Sequence, residues 1–342
     1  VADVTAAITP PRDGFTIQLA VLLGLGLAIS VCVGLAAGHD WASPARLLAA
    51  LTGDRSLDSR LITDWRLPRV LAAALVGALL GIGGCLFQGL FRNPLAEPYL
   101  LGSAGGAAVG ATVALLVPLG VPQALALPIL AFCGAWSATV MVLLIGRVSG
   151  VVDAAGLLLA GVAVAAILGA LRSFLMLALS DESISLQVVL SWVLGGIQTP
   201  GPAGLSVLVI LTGACLLLAL TTGRGLDLLG LGEDMARSFG LDVKRFIAMT
   251  ILIGSAVVAV AVAFGGLVAF VGLAAPHLGR SLVGPRHRPL ILASALIGAI
   301  TVVLADAVAR AALPPAEIPL GLITAIAGGP FFLFLLARRL RP

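Results

Sequence analysis

The 342-residue chain is 60% hydrophobic and only 11% charged, with a mean hydropathy of +1.16, whereas a soluble domain carries about a quarter charged residues. Its 20 basic and 16 acidic residues leave a formal charge of +4, and Lys244 is the single lysine. These values exclude a soluble domain, and the lack of a basic stripe interleaved with aromatics excludes nucleic-acid binding.

In chain order, apolar runs and polar breaks predict about ten membrane-spanning helices, an all-α polytopic fold in one domain over residues 1–342. Val1–Phe15 has no signal-peptide pattern, because Pro10, Pro11, Arg12 and Asp13 precede the first apolar run. That run, 16–38, is the first span, and 39–65 is a polar, turn-rich segment. The second span, 66–89, opens on Arg66 and Arg69, with Asp64 as N-cap and Pro68 in the first turn. Arg92-Asn93-Pro94-Leu95-Ala96-Glu97-Pro98 closes it. The third span, 98–118, contains Gly106 and Gly110, a close-packing GxxxG pair. Spans at 123–146 and 155–179 follow. Segment 180–202 has an apolar middle, Ile184–Gly195, too short to cross a bilayer, which predicts a short helix at the outer interface. The sixth span is 203–222, and 223–245 is a charged loop. Spans at 246–265, 267–283, 289–312 and 318–337 complete the chain. The eighth contains Pro276 and is expected to be kinked or only partly spanning. Spans two to five and seven to ten form two blocks of four around span six, a hint of two related halves.

An even number of spans puts both termini on one side. Arg92, Arg147, Arg224, Arg237, Lys244, Arg245, Arg286, Arg288, Arg338, Arg339 and Arg341 fall on that side. The opposite loops hold Arg46, Arg55 and Arg60 with the acids Asp40, Asp54, Asp58, Asp64, Asp181 and Glu182. The positive-inside rule then places both termini in the cytoplasm of an inner (plasma) membrane protein. Cys32, Cys85, Cys133 and Cys215 are dispersed through apolar segments and read as small core residues. His39, His277 and His287 are too far apart for a zinc spacing, so no metal site is expected.

The chain has no visible energy source. It lacks a phosphate-cradling G-x-x-x-x-G-K-[ST] motif, and its span interiors hold few of the acids an ion-coupled carrier places near the midplane. Asp306, Arg310 and Arg172 are the clearest charges within spans, all toward the outer ends. A separate ATPase subunit is the expected energy source; an ion-coupled secondary transporter is the alternative.

Two places carry candidate function, each with a structural reading beside it. Arg66 and Arg69 share a helix face, as do Asp306 and Arg310. The arginines either snorkel at the interface or form outward sockets for carboxylates of a partner protein. In the charged loop, Glu233 and Arg237 have ion-pair spacing, Met235 and Phe239 share a face, and Gly240 is a C-terminal stop. This short amphipathic helix either packs back on its own bundle or docks a soluble partner.

The run RLPRVLAAALVGALLGIGGCLFQGLFRNPLAEPYLLGSAGGAAVGA resembles the signature of FecCD-type permeases, and GEDMARSFGLDVKR, GGLVAFVGLAAPHLGR, LADAVAR and PPAEIPLGLITAIAGGPFFLFLL agree in order. The resemblance implies a homodimeric permease of an ABC importer for ferric siderophore, haem or cobalamin, with the siderophore preferred. It implies two copies of a cytoplasmic ATPase below, which hold ATP and Mg, so that this chain carries no cofactor and is not itself an enzyme. An extracytoplasmic binding protein would deliver the chelate from above. It also implies that Glu233, Met235, Ala236, Arg237 and Phe239 couple to the ATPase and that Arg66, Arg69 and Arg310 dock the binding protein. Gln88, Asn93, Pro94, Ser103, Gly106 and Pro276 are the candidates for the gate or pathway, on their place at helix breaks and small-residue runs.

Overall fold

The structure is a computed structural model that describes residues 17–54, 56–148, 154–179, 183–314 and 316–339. Val1–Phe15, Arg55, Asp181, Glu182 and Arg341, on which parts of the sequence reading rest, lie outside the described residues. Among the described residues there is no β-strand. In order, the helices are α1 (Ile17–Ala36), α2 (Pro44–Leu51), α3 (Leu57–Arg60), α4 (Leu67–Leu90), α5 (Ser103–Leu116), α6 (Gln123–Val148), α7 (Ala154–Leu179), α8 (Ser183–Val193), α9 (Pro202–Gly230), α10 (Glu233–Ser238), α11 (Val243–Gly265), α12 (Val271–Val283), α13 (His287–Ala311) and α14 (Leu320–Arg339). Every expected span has a helix, and seven helical stretches are long and apolar enough to cross a bilayer.

Helix α4 is the centre of the bundle. In its most apolar window 78% of the residues are buried, against 6% in α7, so α4 is core and α7 is periphery. Glycines make the difference. Gly77, Gly81 and Gly84 lie along one side of α4, and a Cβ on each would strike the backbone carbonyl of Gly298, Ser294 and Gly272 respectively. Helices in lipid gain nothing from hiding apolar surface from one another, so close backbone approach is what selects partners. The first helix of each four-helix block packs on the third of the other, α4 on α13 and α11 on α6.

Several expectations are corrected. The second span does not start at an Asp64 N-cap. The helix begins at Leu57, capped by Ser56, and runs through a π turn at Leu61–Arg66 into α4. Pro68 lacks the N–H for an i−4 bond, and the π turn, with Leu67 N–H donating to Ile62 O, absorbs the gap without a break. The sixth span does not end at 222. Its helix continues to Gly230, which shortens the charged loop. Pro276 does not break its helix, since α12 runs through it, while the expectation of a partly spanning segment holds, because α12 has only 13 residues. The missing donor of Pro276 leaves the Gly272 carbonyl, the one packed against Gly84. Cys32 and Cys133 are exposed, whereas Cys85 and Cys215 are buried. A lipid-facing position is as apolar as a core one, so hydropathy alone does not separate them.

The real breaks lie elsewhere. After α4 the chain turns at Arg92 (φ +49°) and makes a 3-10 turn at Pro98–Leu101 before α5, which starts at Ser103 and not at 98. Pro98 reaches Gly83 and Gly272, about 10 Å up α4 from its end. The second break, 266–270, separates α11 from α12, with Phe270 in the left-handed region at φ +65°. The two breaks meet. Tyr99 Oη donates to Val268 O at 3.1 Å, and Phe270 N–H donates to Glu97 Oε1 at 3.3 Å. Irregular backbone inside a membrane protein survives only where protein satisfies it.

Overpacking tests the glycine contacts. Gly298→Val should cost about 1–3 kcal/mol, read as a lower thermal midpoint of the detergent-solubilised protein. Gly213→Ala, where a Cβ would meet nothing within 4 Å, should leave it unchanged.

Candidate functional site

Two of the expected arginines, Arg66 and Arg310, converge on the C-terminal end of α1. Arg310 Nη1 and Nη2 donate to Ala37 O and Gly34 O at 2.5 and 2.8 Å. Arg66 Nη1 donates to Leu35 O and Ala36 O at 3.0 and 3.1 Å, and its Nη2 to Asp40 O at 3.1 Å. A helix C-terminus presents unpaired carbonyls and a negative dipole end, so cations are stable there. Gly38 lets the Arg66 guanidinium lie against the chain, because a Cβ there would sit 2.6 Å from Nη2.

A buried carboxylate ties the cluster together. Asp306, 1% exposed, accepts from Arg310 Nε at 2.9 Å and from Arg69 Nε at 3.0 Å. Arg69 then uses its outer fork on Glu317, at 3.0 and 2.8 Å, and Glu317 is half exposed. The structure therefore brings Arg66, Arg69 and Arg310 together but does not leave them alike. Arg310 is 8% exposed and turned inward, while Arg69 and Glu317 form the open edge. That edge borders a cavity of about 530 Å³ lined by Gln123, Ser191, Trp192 and Gln198. Glu317 was missed in the sequence reading, although it sits in the PPAEIP block that carries the resemblance.

The opposite end of the bundle carries α10. Ala236 is fully buried against its own chain, whereas Met235 is 50% and Phe239 62% exposed. Of the five residues expected to couple to a partner, Ala236 packs against its own chain. Met235 and Phe239 form an unpacked apolar face, so the helix does not pack that face back on its bundle. Arg237 is held by Glu233 at 2.6 Å and Asp234 at 2.8 Å. Gly240, at φ +85°, closes the helix: its N–H donates to Arg237 O and that of Leu241 to Ala236 O, the paired bonds of a left-handed C-cap.

The expected gate residues are not one site. Gln88 is buried; its Nε2 donates to Leu273 O at 3.1 Å and its Oε1 accepts from Arg280 at 3.5 Å. Asn93 Oδ1 accepts from Leu95 N–H at 3.0 Å, which sets the turn around Pro94. Gln88 and Pro94 line a cleft of about 510 Å³ with Arg92, His277, Arg280 and His287. Ser103, by contrast, is buried with its hydroxyl 3.5 Å from Pro98 O, and Gly106 faces α6 at the Gly134 carbonyl. Pro276 is buried in α12. The sequence reading also missed Asp227, whose Oδ1 takes both the N–H of His287 at 2.9 Å and its Nδ1 at 2.7 Å. That carboxylate caps α13 from α9. Among the described residues no cluster of His, Cys, Asp or Glu could hold a metal.

Comparison with known proteins agrees with this architecture. The model of the FecCD transport family matches residues 26–338, so the chain belongs to that family. It is 42% identical over 282 residues to the cobalamin import system permease protein BtuC of Halobacterium salinarum, covering 80% of this chain and 72% of the relative. It is 34% identical over 323 residues to the Fe(3+) dicitrate transport system permease protein FecD of Escherichia coli, covering 94% and 99%. Among solved structures, a metal-chelate type ABC transporter in an inward-facing conformation matches with a TM-score of 0.83 at 30% identity, over 94% of this chain and 100% of that one.

The arginine cluster makes an asymmetric prediction. Asp306→Asn strands two buried guanidinium contacts and should cost about 3–5 kcal/mol. Glu317→Gln, at the open edge, should cost about 0–1 kcal/mol. Thermal unfolding of the two variants in detergent checks the difference.

Proposed function

We propose that this FecCD-family chain is the membrane-spanning permease subunit of an ATP-driven importer for a metal chelate. It works as a homodimer with two copies of an ATP-binding subunit, and it receives cargo from an extracytoplasmic binding protein. The observation that carries the ATPase half of this reading is the Met235–Phe239 face. It is apolar, exposed and mounted on a helix anchored by Ala236 and closed at Gly240, which suits insertion into a groove on a partner. ATP binding by that partner would bias the permease between outward- and inward-facing states through α10, because a ligand shifts such an equilibrium only by its differential contact with the two states. In this reading the α10 end and both termini are cytoplasmic.

The binding protein then docks at the other end. The half-exposed Glu317 and the arginine behind it are the accessible part of the cluster, and Arg66 lines a separate cavity with His39, Asp40, Arg46 and Asp58. Arg310 supports this surface by holding the end of α1 in place. We assign a ferric siderophore as cargo, an assignment supported by the ferric dicitrate relative. Cobalamin is the second reading, favoured by the similarity to the archaeal cobalamin permease, and haem remains a third cargo of the same importer type. Mass spectrometry of the ligand that co-purifies with the cognate binding protein distinguishes them.

The two ends predict separable defects. Met235→Asp with Phe239→Asp should weaken capture of the ATP-binding subunit by about 2 kcal/mol or more, roughly thirtyfold, with the thermal midpoint unchanged. Arg66→Glu with Arg69→Glu should weaken binding-protein docking and leave ATPase capture intact. Normal capture and coupled transport in the α10 variant would contradict its role.

A further inference from the structure

A groove between α9 and the start of α13 has no part in the reading above. It encloses about 520 Å³ and is lined by Leu217, Leu220, Thr221, Arg288, Pro289 and Leu292, with Arg286 at its rim. Its floor is apolar, and Leu217 is 67% exposed. Its rim is cationic. Arg224 is exposed one helical turn beyond Leu220 and Thr221, on the same side of α9. The stem of Arg288 packs across α9 where Gly223 has no side chain, since a Cβ there would lie 2.6 Å from Arg288 Cγ. The nearby acid, Asp227, is engaged by His287 through both its backbone N–H and its Nδ1. It also faces Arg286 electrostatically, and with this one acid against Arg224, Arg286 and Arg288 the rim keeps a net positive charge.

The charge boundary of both helices falls at this groove. Residues 202–223 of α9 are uncharged and Arg224 is the first charge; residues 289–305 of α13 are uncharged and Arg288 precedes them. Apolar side chains and arginines at that boundary mark the level where hydrocarbon gives way to headgroups. An occupant that satisfies the whole groove has to be apolar along Leu217, Leu220 and Leu292 and anionic at Arg224, Arg286 and Arg288. A soluble anion satisfies only the arginines, and a neutral acyl chain only the leucines.

We propose that the α9–α13 groove is a binding site for one anionic phospholipid, its phosphate at the three arginines and an acyl chain along the leucines. The inference does not depend on the importer reading, because it rests on this groove and on the bilayer alone.

The test is the thermal midpoint of the delipidated full-length chain in detergent, with phosphatidylglycerol, phosphatidylcholine of the same acyl chains, or glycerol 3-phosphate added. Phosphatidylglycerol should raise the midpoint by about 5 °C at saturation, and the other two should not. Arg286→Gln with Arg288→Gln should abolish that rise. Leu217→Trp fills the floor, keeps every arginine and should abolish it too, which covers the case in which the double variant fails to fold. Native mass spectrometry should show one fewer retained phosphatidylglycerol in each variant. An equal rise with phosphatidylcholine overturns the headgroup assignment, and a full rise with glycerol 3-phosphate overturns the lipid. An undiminished response in the variants overturns the site. So does loss of ATPase capture in the arginine variant with its lipid response intact, which would assign the arginines to a protein partner.

Discussion

The contact on which the rest depends is the meeting of two interrupted membrane helices. The chain breaks between α4 and α5 and again between α11 and α12, and each break exposes backbone groups that a bilayer interior would leave unsatisfied. Glu97 and Tyr99 from the first break bond Phe270 and Val268 of the second. Glu97 serves as the cap that α12 lacks locally, since its N-cap residue is a phenylalanine with a left-handed backbone. Pro98 fills the space against Gly272, whose carbonyl in turn rests on Gly84 of the central helix. Removing one partner leaves a buried polar group and a strained residue without support.

Around this junction the two ends of the bundle are built on opposite principles. At one end, polar groups are saturated: Arg66 and Arg310 close the carbonyls of α1, and Asp306 holds Arg310 and Arg69 from within. A partner docking there would meet only the margin of a satisfied network. At the other end α10 is anchored by one buried alanine and presents Met235 and Phe239 unpacked. The first arrangement suits an electrostatic contact that forms and releases; the second suits a hydrophobic contact that persists and transmits displacement. Between them, α4 is wedged by backbone-to-backbone contacts with α12 and α13, which leaves little room for independent sliding.

Much of this was legible in the letters, for physical reasons that differ by element. Long uncharged runs fixed the number of spans, and Glu233, Arg237 and Gly240 fixed α10, because helix pairs and caps are local. The Gly106 and Gly110 pair announced a closely packed helix, and both meet backbone carbonyls of α6. What failed were features set by partners distant in the chain. Arg310 reads as an interfacial cation until α1, some 270 residues earlier, supplies Gly34 and Ala37. Pro276 reads as a break because its missing donor is visible, whereas the Gly84 surface that receives the freed carbonyl is not. Cys32 and Cys133 show the limit of hydropathy in a membrane protein, where lipid and core select the same residues. The Asp227 cap was hidden by the assumption that α9 ended before it.

The most direct measurement of the central claim is site-resolved amide exchange at Phe270 in the full chain, reconstituted in nanodiscs, with and without Glu97→Ala. If the two breaks satisfy one another, Phe270 exchanges slowly in the native chain, and losing its acceptor speeds exchange by about tenfold or more. Rapid exchange at Phe270 in the native chain, or a rate unmoved by Glu97→Ala, would contradict the account.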